Sequence, residues 1–310
     1  MKQKNLIPLY ILLTSSMFFW GTSFVFTVAV LPVLDPISLI FIRLVISSVL
    51  LWATTLLFFR KQKPPKSLLK WVLLMTFFEP FIYFLGETYG LQRVSPVVVS
   101  LFIATIPVFT AIVMSVFFHA KLSAVNFLGI FISICGIFCI IVNKDLSFDA
   151  DLIGLVLVFI AVFTAVGHAV LLGKISKKAH PVWLITIQNT FGIFLFLPLF
   201  LLFGKNPEYE NGEALFSFLS VKETMWLYII LLAVFCSSLA FIFYILAVRK
   251  IGVVKANVFS NLVPIFTAIV SYFLLDELFT TQKIVGIAIV ILGVALTQKS
   301  YKQPVEKVAN

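Results

Sequence analysis

Two glutamates lie within a stretch of the chain that is otherwise apolar. Glu79 and Glu87 fall in residues 68–91, and together with Tyr83, Gly86 and Gly90 they follow the spacing i, i+4, i+7, i+8 and i+11. That spacing predicts one face of a single helix. Carboxyl groups inside such a segment are costly and usually face a cavity or a partner. Two interpretations stay open: proton coupling or recognition of a substrate ammonium group, and a fixed ion pair.

Arg43 is the basic residue that matches these acids, because it also lies inside an apolar segment. A guanidinium keeps its charge and can bind a carboxylate or phosphate through two parallel hydrogen bonds. It can instead form an ion pair with Glu79 or Glu87, and we favour this structural role. His168, about one turn from the end of another apolar segment, is interpreted as a packed or interfacial residue.

Polar and aromatic residues of further segments complete the candidate site. Trp20 lies well inside the first segment, whereas Asn257 and Asn261 share one predicted face with Pro264. Pro264 and its counterpart Pro107 each remove one intrahelical hydrogen bond, which exposes a carbonyl to a ligand or merely kinks the helix. The predicted substrate-binding residues are Trp20, Glu79, Tyr83, Asn257, Asn261 and Tyr244.

The composition requires a membrane. The 310 residues are 61% hydrophobic and 12% charged, whereas soluble domains carry about 25% charged residues. Basic residues cluster in alternate short loops, so the net charge of +10 indicates membrane orientation rather than a nucleic-acid partner. The three cysteines lie in apolar segments and indicate no disulfide or zinc framework. We expect no cofactor and no metal.

Turn and charge signals divide the chain into ten predicted transmembrane helices. These cover residues 7–30, 37–59, 68–91, 96–118, 123–143, 152–173, 181–203, 224–248, 253–275 and 281–298. With the N-terminus inside, 17 Lys and Arg residues fall in inside loops and 5 in outside loops, and Arg43 completes the total of 23. We therefore expect an all-α polytopic protein of the cell inner (plasma) membrane, with both termini in the cytoplasm.

A repeat organises these ten helices. Residues 106–113 return as residues 263–270, an offset of 157, with six identities in eight positions. The offset relates predicted spans 4 and 5 to spans 9 and 10, so each half holds five spans. Because five is odd, the second half must enter the membrane inverted. We expect one repeat in residues 1–145, a second in 146–298, and a cytoplasmic polar tail in 299–310.

The repeat register also aligns single residues. Gly129 and Gly136 correspond to Gly286 and Gly293, and these glycines permit close helix packing, within the protomer or in a possible homodimer. A weaker match between the two halves, at an offset of 145, aligns Arg43 with Gln188.

These features together resemble the drug/metabolite transporter superfamily, EamA type. The resemblance covers about residues 8–298 and includes Trp20-Gly21, Arg43, the proline-centred spans 4 and 9, and Asp276-Glu277-Leu278. One departure is His119-Ala120-Lys121, where the family usually has an acidic residue; only the second half keeps Glu277. The resemblance implies secondary transport of small metabolites, often export, through a central cavity between the halves.

We therefore expect a secondary active transporter for a small polar metabolite, with an amino acid or related compound as the expected substrate. Proton coupling or exchange would drive alternating access, and export follows from the resemblance alone. Its partners would be the small-molecule substrate and membrane lipid. A passive facilitator or channel is the first alternative, although the sequence has no charged rings or carbonyl filter. An intramembrane enzyme is the second, although no aspartate lies within a predicted span.

Overall fold

The computed structural model describes residues 7–118, 123–141, 151–213, 220–277 and 280–299, and within these ranges the chain is helical, without a strand. The α-helices are α1 Ile7–Val30, α2 Pro36–Phe58, α3 Leu69–Thr76, α4 Tyr83–Leu91, α5 Pro96–Ala104, α6 Ile106–Phe118, α7 Ala124–Ile141, α8 Leu152–Ile175, α9 Pro181–Phe203, α10 Val221–Leu231, α11 Ala240–Ile251, α12 Val253–Asn257, α13 Val263–Leu274 and α14 Thr281–Lys299. His119-Ala120-Lys121, Leu278, the predicted repeat boundary at 145/146 and residues 300–310 of the predicted tail lie outside the described residues.

Six helical stretches are long and apolar enough to cross a membrane. They are Ile7–Val30, Pro36–Phe58, Lys66–Leu91, Leu152–Ile175, Pro181–Phe203 and Val221–Ile251. Shorter apolar helices at Pro96–Thr110, Ala124–Cys139, Phe259–Leu274 and Thr281–Leu296 coincide with the other predicted spans. The fold is therefore an all-helical membrane fold, and the count of ten spans stays a prediction.

Local capping explains where several helices begin. The Asp35 carboxylate accepts hydrogen bonds from the backbone nitrogens of Ile37 and Ser38, at 3.0 and 3.1 Å, and Pro36 occupies the first turn of α2. Side-chain oxygens of this kind satisfy the free N–H groups of a helix start. Asp151 caps α8 in the same way and accepts a further hydrogen bond from Arg93 at 2.8 Å, which holds the pKa of its carboxyl below the usual range.

The helices pack in a small number of close pairs. α7 runs along α14, α2 along α9, α4 against α8, and α1 against α11 and α13. A Cβ on Gly136 would lie 2.7 Å from the Val290 backbone nitrogen, and one on Gly293 would lie 2.3 Å from the Ser133 backbone nitrogen. Gly136 and Gly293 therefore bring α7 and α14 together within the protomer, and the possible homodimer stays a prediction.

Four of the predicted spans are interrupted helices. A π-helical segment, Phe77–Ile82, separates α3 from α4, and another, Leu232–Leu239, separates α10 from α11. The chain also breaks between α5 and α6, and a 3₁₀ segment, Val258–Leu262, joins α12 to α13. At the repeat offset of 157, residues 77–82 correspond to 234–239, so the two π-helical segments occupy equivalent positions.

Candidate functional site

A cavity of about 80 Å³ lies between α1, α2, α4, α8, α11 and the two interrupted regions around Glu79 and Asn257. This volume holds several water molecules or a small polar group. The cavity gathers side chains that are far apart in the sequence. Of the predicted site residues, those that line it are Trp20, Arg43, Glu79, Tyr83, Glu87, Tyr244 and Asn257.

Glu79 sits in the π-helical interruption, with backbone dihedrals (φ −145°, ψ 123°) that are not helical. Its carboxylate Oε2 lies 3.0 Å from His168 Nδ1 of α8. Its backbone carbonyl, released from the helix, accepts a hydrogen bond of 2.8 Å from Gln188 Nε2 of α9. Gln188 Nε2 also lies 3.3 Å from His168 Nε2, so the three residues form a closed ring of contacts.

Arg43 does not form the predicted ion pair. Among the described residues, no carboxylate oxygen of Glu79 or Glu87 lies within 4.0 Å of its guanidinium. Its Nε donates instead to Ser237 Oγ at 2.5 Å, and the guanidinium lies 4.4 Å from the centre of the Phe84 ring. The cation is thus held by a hydroxyl and an aromatic face, an arrangement that suits a weakly hydrated guanidinium.

The residues that the sequence predicts on one helical face make two different kinds of contact. Tyr83 and Glu87, one turn apart on α4, line the cavity and are buried. Gly86 and Gly90 instead pack against α8: a Cβ on Gly86 would lie 2.6 Å from the Leu157 carbonyl oxygen. The polar residues therefore form the site, whereas the glycines allow the close approach of α8.

Aromatic rings form another part of the cavity lining. The ring of Trp20 lies 5.1 Å from the rings of both Phe241 and Tyr244, measured between centres. The Tyr244 hydroxyl forms a short hydrogen bond with Asn257 Oδ1. We call Trp20, Phe241 and Tyr244 the aromatic wall.

Asn261 does not line the cavity, although the sequence predicts it on the same face as Asn257. The connecting segment is a 3₁₀ helix, in which residues three apart share a face. Ser260 therefore takes the place beside Asn257. Pro107 and Pro264 also lie off the cavity surface, in the first turns of α6 and α13, and their neighbours Ile106 and Val263 line it.

Comparison with known proteins identifies the family. The model of the EamA-like transporter family matches the chain twice, over residues 7–142 and 152–298. The chain belongs to the EamA-like transporter family. Together with its apolar helices, this membership makes the protein a multi-pass membrane transporter.

Several relatives of this EamA-like chain carry transporter names. YetK of Bacillus subtilis, an uncharacterized transporter, is 25% identical over 236 residues, covering 75% of this chain and 69% of YetK. An uncharacterized transporter of Archaeoglobus fulgidus is 26% identical over 299 residues, covering 95% and 98%. A WAT1-related chloroplastic protein of Arabidopsis thaliana is 25% identical over 294 residues, covering 92% and 68%. These names indicate a transporter rather than an enzyme.

One solved structure has the same fold. It is the crystal structure of a protein that superposes with a TM-score of 0.63 at 13% identity, covering 93% of this chain and 96% of that one. At this identity the likeness concerns the fold alone. The EamA-like architecture thus agrees with an experimentally determined arrangement over almost the whole chain.

The cavity of this EamA-like protein draws on both family matches. Arg43, Glu79 and Glu87 come from residues 7–142, and His168 and Tyr244 from residues 152–298. Sequence reasoning missed the roles of three residues, His168, Gln188 and Ser237. Gln188 had a usable signal, because it aligns with Arg43 in the repeat; His168 and Ser237 stood out only as polar residues in apolar segments, which does not indicate their partners.

Proposed function

We propose that this protein is a secondary active transporter that moves a small polar metabolite, an amino acid or related compound, by alternating access. Export is the proposed direction, with coupling to protons or exchange. The observation that carries the proposal is the concentration of buried ionisable groups in one cavity: Arg43, Glu79, Glu87 and His168 all line it. Ionisable side chains at membrane depth mark substrate and proton pathways.

The proposed mechanism uses two five-helix halves that rock about this cavity. The double family match supports the division into two halves, residues 1–145 and 146–298. The packing supports an arrangement in which the first helix of each half contacts helices of the other half. α1 packs against α11 and α13, and in the other half α8 packs against α4, α5 and α6. Contacts of this reciprocal kind are those expected when two copies enclose one site.

The inverted orientation predicts on which side of the membrane each loop lies, and this can be tested. With both termini in the cytoplasm of a plasma-membrane protein, Lys63 and Lys177 lie on the same side and Lys205 on the other. Single cysteines replace these residues in a variant without Cys135, Cys139 and Cys236, and an impermeant maleimide labels intact cells. We expect labelling at position 205 only. Different accessibility of positions 63 and 177 would exclude the inverted arrangement.

Transport itself is tested in two stages. A metabolite library is first screened for compounds that raise the melting temperature of the purified protein, because a ligand of the folded state stabilises it. The compound found is then followed in proteoliposomes. Saturable flux with trans-stimulation is expected for a carrier, and unsaturable flux would indicate a channel instead.

Proton coupling is assigned to Glu79. Glu79→Gln should abolish uptake driven by a pH gradient, since the amide cannot take up a proton. Glu210→Gln, an exposed loop acid, is the matched control and should behave as the wild type. Full gradient-driven transport in Glu79→Gln would remove the coupling role.

A further inference from the structure

The two acids of the cavity differ in their partners. Glu79 Oε2 lies 3.0 Å from His168 Nδ1, whereas Glu87 Oε2 is buried without a hydrogen-bond partner among the described residues. Glu87 as a whole is 2% exposed, yet it lines the cavity. A buried carboxylate oxygen without a donor is costly. A residue that lines the cavity therefore keeps a buried acceptor that no group of the described residues satisfies.

The surroundings of Glu87 suit a cation. The aromatic wall of Trp20, Phe241 and Tyr244 lines the same cavity. Aromatic faces and a carboxylate that line one cavity attract ammonium groups, the rings through their negative faces and the carboxylate by charge-assisted hydrogen bonds. Building on the transporter function, we propose that Glu87 and the aromatic wall bind the ammonium group of the transported solute, in competition with a proton held at Glu79 and His168.

The protonation of His168 follows from Gln188. The Glu79 carbonyl can only accept a hydrogen bond, so the Gln188 atom that contacts it, at 2.8 Å, is the amide nitrogen. The same NH₂ group faces His168 Nε2 at 3.3 Å, which makes that ring nitrogen the acceptor. The proton of neutral His168 is then on Nδ1 and points at Glu79 Oε2.

A charge count of the cavity explains the competition. The titratable and charged groups that line it are Arg43 from α2, Glu79 from the interruption, Tyr83 and Glu87 from α4, His168 from α8, and Tyr244 from α11. With both acids ionised, both tyrosines neutral and His168 neutral, the sum is one negative charge. One ammonium ion or one proton neutralises it, and both together leave an excess positive charge in a poorly solvated site. Binding one therefore disfavours the other, which gives exchange of one cation for one proton.

The probe is n-butylammonium, with 1-butanol as the uncharged match, and binding is measured as the shift in melting temperature of the purified protein. At pH 8 we expect n-butylammonium to stabilise the wild type and 1-butanol to have no effect. Glu87→Gln should weaken butylammonium binding by about ten-fold or more, and Glu210→Gln should not change it. Trp20→Leu should also weaken binding, with Trp20→Phe nearer the wild type.

The competition is tested by pH between 8 and 5, a range in which an alkylammonium stays protonated. Affinity in the wild type should fall as the pH falls, by up to about ten-fold per pH unit. Glu79→Gln carries the charge of the protonated acid, so it should bind butylammonium weakly at every pH. Equal effects of amine and alcohol, retained affinity in folded Glu87→Gln, or pH-independent binding in the wild type would each overturn the proposal.

These measurements in micelles do not depend on alternating access. A failure of flux in proteoliposomes with intact amine binding would reject the transporter mechanism and keep the ammonium site. Saturable transport of a solute without an ammonium group would reject the site and keep the mechanism.

Discussion

Two π-helical interruptions, Phe77–Ile82 and Leu232–Leu239, occupy equivalent positions in the repeat and have different chemistry. The first carries Glu79 and Pro80, and the second carries Cys236, Ser237 and Ser238. At the offset of 157, Cys236 stands where Glu79 stands in the first half. The first segment, with non-helical dihedrals at Glu79, thus carries an acid at the cavity, whereas the second, a π-helical segment without such a residue, carries small polar groups.

The second interruption is tied down by hydrogen bonds. Ser237 Oγ accepts from Arg43, Ser238 Oγ lies 2.7 Å from Ser47 Oγ and donates to a backbone carbonyl, and the Cys236 thiol donates to the Phe19 carbonyl. In the first interruption, the Glu79 carboxylate contacts His168, and both residues line the cavity. The comparison teaches that a π-helical segment occurs at both repeat positions, while the acid that we assign to coupling is present once.

Each interruption is held by the opposite half. Gln188 of α9 donates to the first, at the Glu79 carbonyl, and Arg43 of α2 donates to the second, at Ser237. Arg43 and Gln188 are the residues that align at the offset of 145. Equivalent positions therefore perform equivalent tasks with different side chains, a cation in one direction and an amide in the other.

The largest expected effect on stability comes from removing Arg43, the cation that donates to the second interruption. Arg43→Ala should destabilise the protein by on the order of 3 kcal/mol, because it removes the positive charge near two buried acids and leaves Ser237 without its donor. The measurement is thermal unfolding in detergent. Arg43→Lys, which keeps the charge, should be intermediate. A second substitution, Glu87→Gln, should recover part of the loss; wild-type stability in Arg43→Ala would contradict the assigned role.

Removing the Gln188 amide, which donates to the first interruption, should have a smaller effect on stability. Gln188→Ala leaves the Glu79 carbonyl and His168 Nε2 without a donor, which should cost about 2 kcal/mol of stability. The exposed Gln92→Ala is the matched control and should leave the melting temperature unchanged. If Gln188→Ala unfolds at the wild-type temperature, the first interruption does not depend on its contact with α9.

The hydroxyls of the second interruption should contribute less again. Ser237→Ala and Ser238→Ala each remove one side chain's hydrogen bonds, and each should cost about 1 kcal/mol. Neither should alter the pH dependence of butylammonium binding, because neither residue lines the cavity. Thr54→Ala, which loses a comparable bond to the Leu50 carbonyl at a half-buried position of α2, is the reference variant. A changed pH profile in Ser238→Ala would show that the two interruptions are not separate in function.

The smallest expected effect concerns the position equivalent to Glu79. Cys236→Ser keeps a donor to the Phe19 carbonyl, so its stability should change by less than about 1 kcal/mol. Its proton response should equal that of the wild type, in contrast to Glu79→Gln. A loss of pH-driven uptake in Cys236→Ser would contradict the asymmetry between the halves.

Much of the site could be predicted, because polar residues are rare in apolar segments and are therefore recognisable as candidate site residues. Trp20, Arg43, Glu79, Tyr83, Glu87, Tyr244 and Asn257 meet in one cavity as expected from their depth. Asn261 could not be placed, since the 3₁₀ geometry of Val258–Leu262 changes the periodicity from 3.6 to 3.0 residues per turn. The interruption Leu232–Leu239 contains neither proline nor glycine, so no local signal marks it.

The sequence by itself determined the membrane class, the position of most helices and the repeat. These properties depend on hydropathy, capping and internal similarity, which can be read from the order of the residues alone. Only the tertiary structure decided the partners: His168 for Glu79, Ser237 and Phe84 for Arg43, and, within the described part of the chain, no hydrogen-bond partner for Glu87 Oε2. The physical reason is that a partner depends on how helices from both halves are rotated and broken where they meet.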